Sequence, residues 1–562
     1  MTRPDFANTC ADSIVAWLVH HNIQHVFMVP GLQLIPLTTA LIKAVDIKVV
    51  FAASELGAAY MADAYARASG NPGVCLAIAT PGASNMLTAA VNAFHDNSAV
   101  LFISTDVVTG VHGNRAFQDA GCSGSNDQKL FATALENSFR LDSIDKLSTN
   151  LEQIDLCLQQ SMPAHLIIPL DVQQSRVECV DDFYQTPQSQ TQVFSRQILA
   201  VVEQLEQANL PVFYIGERLN NECGENLLLS IINKAGIPFV TTLSAKGVGD
   251  ASAWAIGNAG YAGETSANQL LASPEVDYVV IIGVRFDERN LMPLMGSLNE
   301  KIVITIGPAC CQSINMLSNM QHISVANNYL VNCLEIISNN LQGIEDNQHQ
   351  QRQHTLNRLL QREKADSDIA GNTCFSVKNT LQRAREILPD TTIFTPDSGL
   401  ARVFSGQSWK PGGAGKFYLS SSLATMGWST AGTIGIALAR PQTPVVALVG
   451  DGSLLMHGNE IATAVQCKLS VLWVVIVNRV YGSSSRVNDK VSAHHISGSL
   501  ADINWLAWVK AMGAYAHWAE DLETVSDVID QFLSNQQATV LLLNSDPDDP
   551  KHWPDNAFYS NE

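Results

Sequence analysis

Between residue 10 and about 175 the chain alternates short β-branched runs, HVFMVPG, IKVVFAA, GVCLAIAT, AVLFIST and AHLIIPLDV, with stretches whose apolar residues recur at helical spacing. Runs that stay apolar suit strands buried on both faces, so this pattern predicts a parallel sheet covered by helices on either side. A polar connector, ECVDDFYQTPQSQTQ, reads as a linker. The pattern then repeats with LPVFYIG, IPFVTTL, VDYVVIIGV and KIVITIG. After the polar stretch GIEDNQHQQRQHTLNRLLQREKADSD it returns as TIFTPD, PVVALVGDG, VLWVVIVN and ATVLLLN. The expected fold class is α/β, with three doubly wound parallel-sheet domains over residues 1–180, 190–345 and 370–550.

Length agrees with this division, because 562 residues exceed what one core serves at about 100 to 200 residues per domain. With 46% hydrophobic and 15% charged residues, the chain has globular proportions and is not a disordered scaffold. A formal charge of -20 excludes the clustered cations that nucleic acid or an anionic membrane requires, which leaves small-molecule chemistry. The same field repels an anionic ligand, so a phosphate would have to be held by local dipoles and a metal. The first 22 residues carry acidic, Asn and His residues among the apolar ones, which breaks a signal-peptide core. No later run approaches the roughly 18 apolar residues of a spanning helix, and the expectation is a soluble, cytoplasmic protein. Eleven cysteines without CxxC spacing fit buried free thiols in a reducing compartment. Among them, the adjacent Cys310 and Cys311 read as core filling in preference to a redox pair.

The sharpest chemical signal is Gly450-Asp451-Gly452, which follows the apolar run PVVALV, with Asn478 at the end of the next run, VLWVVIVN. Ligands of α/β sheets gather at the carboxyl ends of the strands, so both side chains would enter one crevice despite their separation in sequence. A hard cation such as Mg2+ takes a carboxylate, neutral oxygens and phosphate oxygens, which Asp451, Asn478 and the Val480 carbonyl match. Gly450 and Gly452 would let the backbone approach a diphosphate, beside a helix expected to begin near residues 458–461. Alone, Asp-Gly after a strand is ordinary turn chemistry. In its setting, GDGSLLMHGNEIATAV followed by VVIVNRVYG resembles the diphosphate- and Mg2+-binding motif of thiamine-diphosphate enzymes, specifically the acetolactate synthase branch.

The resemblance spans essentially the whole chain and implies a pyrimidine-binding, a middle and a diphosphate-binding domain, with thiamine diphosphate and Mg2+ as cofactors. SELGAAYMADAYARASG looks like the family's Glu-bearing helix, in which Glu55 would hydrogen-bond the aminopyrimidine and serve proton transfer, helped by burial near Ala58, Ala59 and Met61. SSSLATMGWSTAGTIGIALA resembles the segment beside the cofactor's bend, with Met426 as the apolar wedge. TPDSGLARV resembles the opening of the same domain, so Ser398, Gly399 and Leu400 would approach the diphosphate together with Ser453 of the GDGS run. Since the family takes the two cofactor-binding domains from different chains, a homodimer or tetramer is implied.

Departures from the family pattern shape the functional expectation. Phe117-Gln118 resembles the synthase AFQ segment, where decarboxylases carry a His pair, which disfavours protonation and simple aldehyde release. His112 stands nearby in the sequence as another candidate acid. Counted from Asn478, the family's acceptor-pocket Trp falls on Val487, and the Lys of its VPKD segment falls on Leu170, while Arg289 matches the pocket Arg. Gln33 lies where relatives carry small residues and would hydrogen-bond a substrate. For FAD, Gly283 and Arg285 match, but the flavin-contacting His is Ala262 and the adenosine-end segment reads Ile306-Gly307-Pro308, which argues against bound flavin. The expected activity is a carboligase that decarboxylates a pyruvate-like 2-oxo acid and transfers the acyl unit to a second carbonyl. A non-oxidative 2-oxo acid decarboxylase is the alternative, ahead of a catalytically silent paralogue.

Overall fold

The structure, a computed structural model, describes residues 9–177, 195–308, 320–367, 375–413, 415–484 and 498–545. Three parallel sheets carry the chain. The first holds β1 (His25–Met28), β2 (Lys48–Phe51), β3 (Gly73–Ala77), β4 (Val100–Asp106), β5 (Ser138–Arg140) and β6 (Ala164–Pro169) in the order β2-β1-β3-β4-β6-β5. The second holds β7 (Pro211–Ile215), β8 (Phe239–Thr241), β9 (Ala255–Asn258), β10 (Tyr278–Ile282), β11 (Ile302–Gly307) and β12 (Met320–Ser324), ordered β12-β11-β10-β7-β8-β9. The third holds β13 (Ile393–Pro396), β14 (Val445–Gly450), β15 (Val471–Val477), β16 (Tyr515–Ala519) and β17 (Thr539–Asn544), ordered β13-β14-β15-β17-β16. Each neighbouring pair runs parallel, and inner strands such as β4, β6 and β15 are buried along their whole length. This is the doubly wound α/β architecture that unbroken apolar runs require.

Cores do not divide one per domain. One apolar cluster runs from Phe27 and Phe102 on the first sheet and Phe131 on the helix Asp127–Leu135, through Tyr60, Tyr65 and Trp428 on the helices between, to Trp473 and Leu542 on the third sheet. Its seam is the packing of helix Glu55–Ser69 against helix Trp428–Ala439. A Cβ at Gly435 would fall 2.0 Å from the Met61 carbonyl oxygen, so only glycine permits this approach. The buried Asp63 carboxylate fastens the seam by accepting from Trp428 Nε1 at 2.7 Å, Arg67 Nε at 2.9 Å and Asn92 Nδ2 at 2.9 Å. The middle sheet has a core of its own.

One stretch that the sequence pattern left unassigned takes on structure, and one expectation changes. The polar stretch before the third unit is largely helix, Asp346–Ser367, docked by the buried Leu356 and Arg352. Arg352 donates to the carbonyls of Ala208, Asn209 and Ala235, at the carboxyl ends of two helices where unpaired carbonyls attract a cation. The helix after β14 begins at Asp451 itself (Asp451–His457), with a second helix at Glu460–Gln466, and not first near residues 458–461. The proposed linker around 178–192, Cys310, Cys311 and Val487 lie outside the described residues. No helix among the described residues is long and apolar enough to cross a membrane.

Candidate active site

Carboxyl ends of β13, β14 and β15 converge on a cavity of about 180 Å³ lined by residues that include Ser398, Gly399, Met426, Asp451, Asn478 and Tyr481. The register pairs Gly450 with Ile476, which sets the following Asp451 beside the end of β15, where Asn478 begins the turn. Asp451 is 2% exposed and accepts from the backbone N–H of Gly452 at 2.9 Å and of Arg479 at 2.6 Å. Burial pushes its carboxyl up to about 6, against the opposing N–H groups of Arg479, Gly452 and Asn478. Asn478 Oδ1 accepts from Val480 N–H at 3.2 Å, and Arg479 between them takes a φ of 60°, a left-handed turn that a non-glycine residue adopts at a cost. Gly450 faces open space, whereas a Cβ at Gly452 would lie 2.8 Å from the Tyr481 ring and 3.3 Å from Met426 Cε. Gly399 has a φ of 75° and brings its backbone beside Ser483. Leu400 and Val480 complete the lining, but Ser453 turns its Oγ to Asp397 at 2.7 Å, so only its backbone is free to face a ligand.

Behind this cradle stands a residue that the sequence reading missed. Asp397, 2% exposed, accepts from the N–H groups of Ser398 (2.8 Å), Gly427 (3.0 Å) and Ser429 (3.0 Å), tying β13 to the segment that carries Met426. Burial raises its pKa, and these donors together with Ser453 Oγ oppose the rise. The available signal was an Asp set between a strand and Ser-Gly in TPDSG. The same segment is held from the first domain, because Asp96 accepts from Ser421 N–H at 2.8 Å and Ser422 N–H at 2.9 Å. Arg402, buried without a carboxylate partner among the described residues, donates to the Ser420 and Ser421 carbonyls. Burial first, and then the Arg289 charge, push its pKa down to about 10.

None of the residues lining the cavity comes from the first domain. Glu55 opens its helix behind the N-cap Ser54 and is partly exposed, while Ala58, Ala59 and Met61 are buried on the seam; the expected burial of Glu55 therefore does not occur within one chain. Its Oε2 accepts from Asn85 Nδ2 at 3.0 Å. Phe117 is 84% exposed, and Gln118 takes a φ of 61° in the loop after β4. That loop is anchored by Asp106, which meets Arg140, His112 Nε2 at 3.0 Å and Ala120 N–H at 2.8 Å. Leu170 follows β6 at the same edge, next to Asp171, which holds Thr109. Arg289 lies on the middle domain with its guanidinium 5.0 Å from the Tyr261 ring centroid.

Family models match three stretches of the chain: the N-terminal TPP binding domain of thiamine pyrophosphate enzymes over residues 8–128, the central domain over 198–314 and the C-terminal TPP binding domain over 397–543. The chain belongs to the thiamine pyrophosphate enzymes. Among curated relatives of this family it is similar to the acetolactate synthase isozyme 1 large subunit of Escherichia coli (strain K12), 27% identical over 487 residues, 86% of this chain and 83% of that one. It is also similar to the acetolactate synthase large subunit of Porphyra purpurea, at 26% over 492 residues (83% and 79%), and to the E. coli isozyme 2 large subunit, at 26% over 481 residues (83% of each). As a member of the family the protein is a thiamine-diphosphate-dependent enzyme of carbon–carbon bond chemistry. The three matched stretches fall on the three sheets, and the cradle at Asp451 lies within the C-terminal TPP binding domain.

Proposed function

We propose that the protein is a carboligase that decarboxylates a pyruvate-like 2-oxo acid and joins the acyl unit to a second carbonyl compound. The observation that carries this reading is the donor set of the cradle: a buried carboxylate, an amide oxygen and a glycine edge open to solvent, around a cavity bordered by Met426. These residues fit a diphosphate bridged by Mg2+. Asp451, Asn478 and the Val480 carbonyl would hold the cation, with Gly450, Gly452, the Ser453 backbone, Ser398, Gly399 and Leu400 around the diphosphate. Thiamine diphosphate, when bound, supplies the nucleophilic carbon and the electron sink for decarboxylation. Met426 would orient it from the apolar side, and Glu55, held by Asn85, would serve proton transfer at the aminopyrimidine.

Carboligation rather than protonation is supported by the loop after β4, where Phe117 and Gln118 stand with no proton-donating side chain between them. One observation favours the alternative decarboxylase: His112, 3.0 Å from Asp106, belongs to that loop and offers a proton. Leu170 supplies no charge, Arg289, set over the Tyr261 ring on the middle domain, is the cation that matches the family's pocket Arg, and together with Val487 they underlie our proposal of an altered acceptor pocket. That the cradle's lining comes wholly from the third domain, without Glu55, supports a homodimer or tetramer with sites shared between chains. The exposed Leu32 (82%) and Phe117 (84%) suit a face that a second chain covers. We infer that no flavin is bound. The Arg285 guanidinium is already taken by Asp96 at 3.0 Å, Asp287 at 3.0 Å and Glu217 at 3.8 Å, and the Ala262 carbonyl lies against Gly406; neither fits an anionic dinucleotide. Free thiols at the described cysteines suit a reducing cytoplasm. The test is product analysis with pyruvate and a panel of aldehydes and 2-oxo acids. A coupled hydroxyketone or 2-hydroxy-2-acyl product is expected, and free aldehyde alone would favour the decarboxylase.

A further inference from the structure

Gln33 occupies the turn Leu32–Leu34 beyond β1, at the carboxyl edge of the first sheet, and is partly exposed. Its side-chain Oε1 accepts from Ala79 N–H at 3.2 Å and from Thr105 Oγ1 at 2.8 Å. A backbone N–H can only donate, so the amide atom turned inward is the oxygen, and the two protons of Nε2 must point the other way. Nε2 makes no hydrogen bond among the described residues. The backbone is fixed as well, since the Gln33 carbonyl accepts from the buried Gln173 Nε2 at 3.1 Å. The amide thus bridges the ends of β1, β3 and β4 and holds an N–H donor on the functional edge with its rotamer already set.

The same edge carries Glu55. Ala79 and Thr80 form the turn between β3 and the helix Pro81–His95; Thr80 takes a φ of 28°, and its N–H donates to Asp127 Oδ2 at 2.7 Å. In the first turn of that helix, the space where Gly82 lacks a Cβ lies 3.5 Å from Glu55 Oε1. Gln33 and Glu55 therefore flank one turn and the helix start that follows it.

We infer that Gln33 Nε2 donates a hydrogen bond to a substrate oxygen, either the carboxylate of the 2-oxo acid or the carbonyl of the acceptor; this rests on the carboligase reading above. On the acceptor carbonyl a preset donor needs no reorganisation when charge develops on the oxygen, which is where such a group contributes most to rate; on the 2-oxo acid carboxylate, which loses its charge as CO2 leaves, it serves binding and orientation.

The test is Gln33→Glu, which keeps the inward acceptor oxygen and the shape but replaces the donor by an oxygen. Expected is wild-type thermal midpoint and thiamine-diphosphate affinity, with kcat/KM lower by about 10- to 100-fold, as for one lost hydrogen bond to a charged partner. A fall in CO2 release from the 2-oxo acid alone assigns the donor carboxylate. Unchanged CO2 release with less coupled product assigns the acceptor carbonyl. Gln33→Ala, which also frees Ala79 N–H, should lower the midpoint as well. Wild-type kcat/KM in Gln33→Glu overturns the inference, as does a loss matched by an equal loss of midpoint and cofactor affinity. If the wild-type holoenzyme itself releases no CO2 from any 2-oxo acid, it is the functional reading that fails.

Discussion

Asp96 joins all three domains, and Asp96→Asn tests whether that junction sets the shape of the cofactor cradle. Its carboxylate, 2% exposed, meets Arg67 Nη2 at 3.0 Å, Arg285 Nη1 of the middle domain at 3.0 Å, and the N–H groups of Ser421 and Ser422. Burial alone would raise its pKa, but the two guanidinium groups and the two N–H donors outweigh burial and hold it at about 2, below an ordinary 3.8. That lowering corresponds to about 2 kcal/mol of folded-state stability at neutral pH. Truncating one partner of a buried ion pair costs more, ~3 to 5 kcal/mol, because a charge is left behind. Here Arg67 keeps Asp63 and Arg285 keeps Asp287, so the expected loss is ~2 to 4 kcal/mol. In a protein with domains of this size, that lowers the thermal midpoint by about 5 to 10 °C, measured by differential scanning fluorimetry. Because the folded pKa is depressed, the wild-type advantage is present above roughly pH 4 and disappears as pH falls from about 4 toward 2, where the two proteins converge. The Ser421–Ser422 backbone leads to Met426, so KM for thiamine diphosphate should rise with the loss of stability. A variant with an unchanged midpoint at pH 7, or a gap of constant size down to pH 2, would refute the junction's energetic role.

Asp451→Ala removes the cation's carboxylate in an acidic protein and should weaken thiamine-diphosphate binding by at least ~3 kcal/mol, about 100-fold by calorimetry; unchanged affinity would remove Asp451 from the metal site. Glu55→Gln should bind cofactor normally yet lose at least ~10²-fold in turnover, since an amide hydrogen-bonds but does not exchange a proton. Co-expressing the Glu55→Gln and Asp451→Ala chains should restore part of the activity, because a mixed dimer regenerates one complete site; activity no higher than either variant alone would place both residues in the same chain's site. Arg352→Met should cost ~2 to 4 kcal/mol in urea unfolding by leaving the helix-end carbonyls of Ala208, Asn209 and Ala235 unpaired, with turnover per folded molecule unchanged.

Inner strands were legible because burial on both faces forces unbroken apolar runs such as VLWVVIV. The strands that escaped notice, β5, β9, β12 and β16, all lie at sheet edges, where one neighbour is missing and sequences such as AIGN and MQHIS need not be apolar. Helix Asp346–Ser367 was hidden by its polarity, since it docks through few residues and one of them is an arginine. At the site, Asp451 and Asn478 were readable because each directly follows an inner strand, so their places are set by sheet geometry. Asp397 and Asp96 were not: Asp397 is held mainly by backbone N–H groups, which every residue type provides and which leave no trace in the sequence, and Asp96 adds to two such groups the arginines Arg67 and Arg285, whose meeting depends on how the domains pack. The orientation of the Gln33 amide has the same origin: it is decided by the Ala79 N–H.

The shared core also bears on how the chain is made. Helix Glu55–Ser69 leaves the ribosome long before helix Trp428–Ala439, and at ~5 to 20 residues per second the delay is roughly 20 to 75 s. Throughout that interval the Ala-rich face that will close over Gly435 has no partner within its own domain. The first domain is thus a foldable sheet with a greasy flank awaiting the far end of the same polypeptide, a high-contact-order arrangement that is slow to complete and prone to capture by other nascent chains. Truncation after the first sheet should leave an aggregating fragment, and a chaperone that shields apolar surface has its clearest task on this flank.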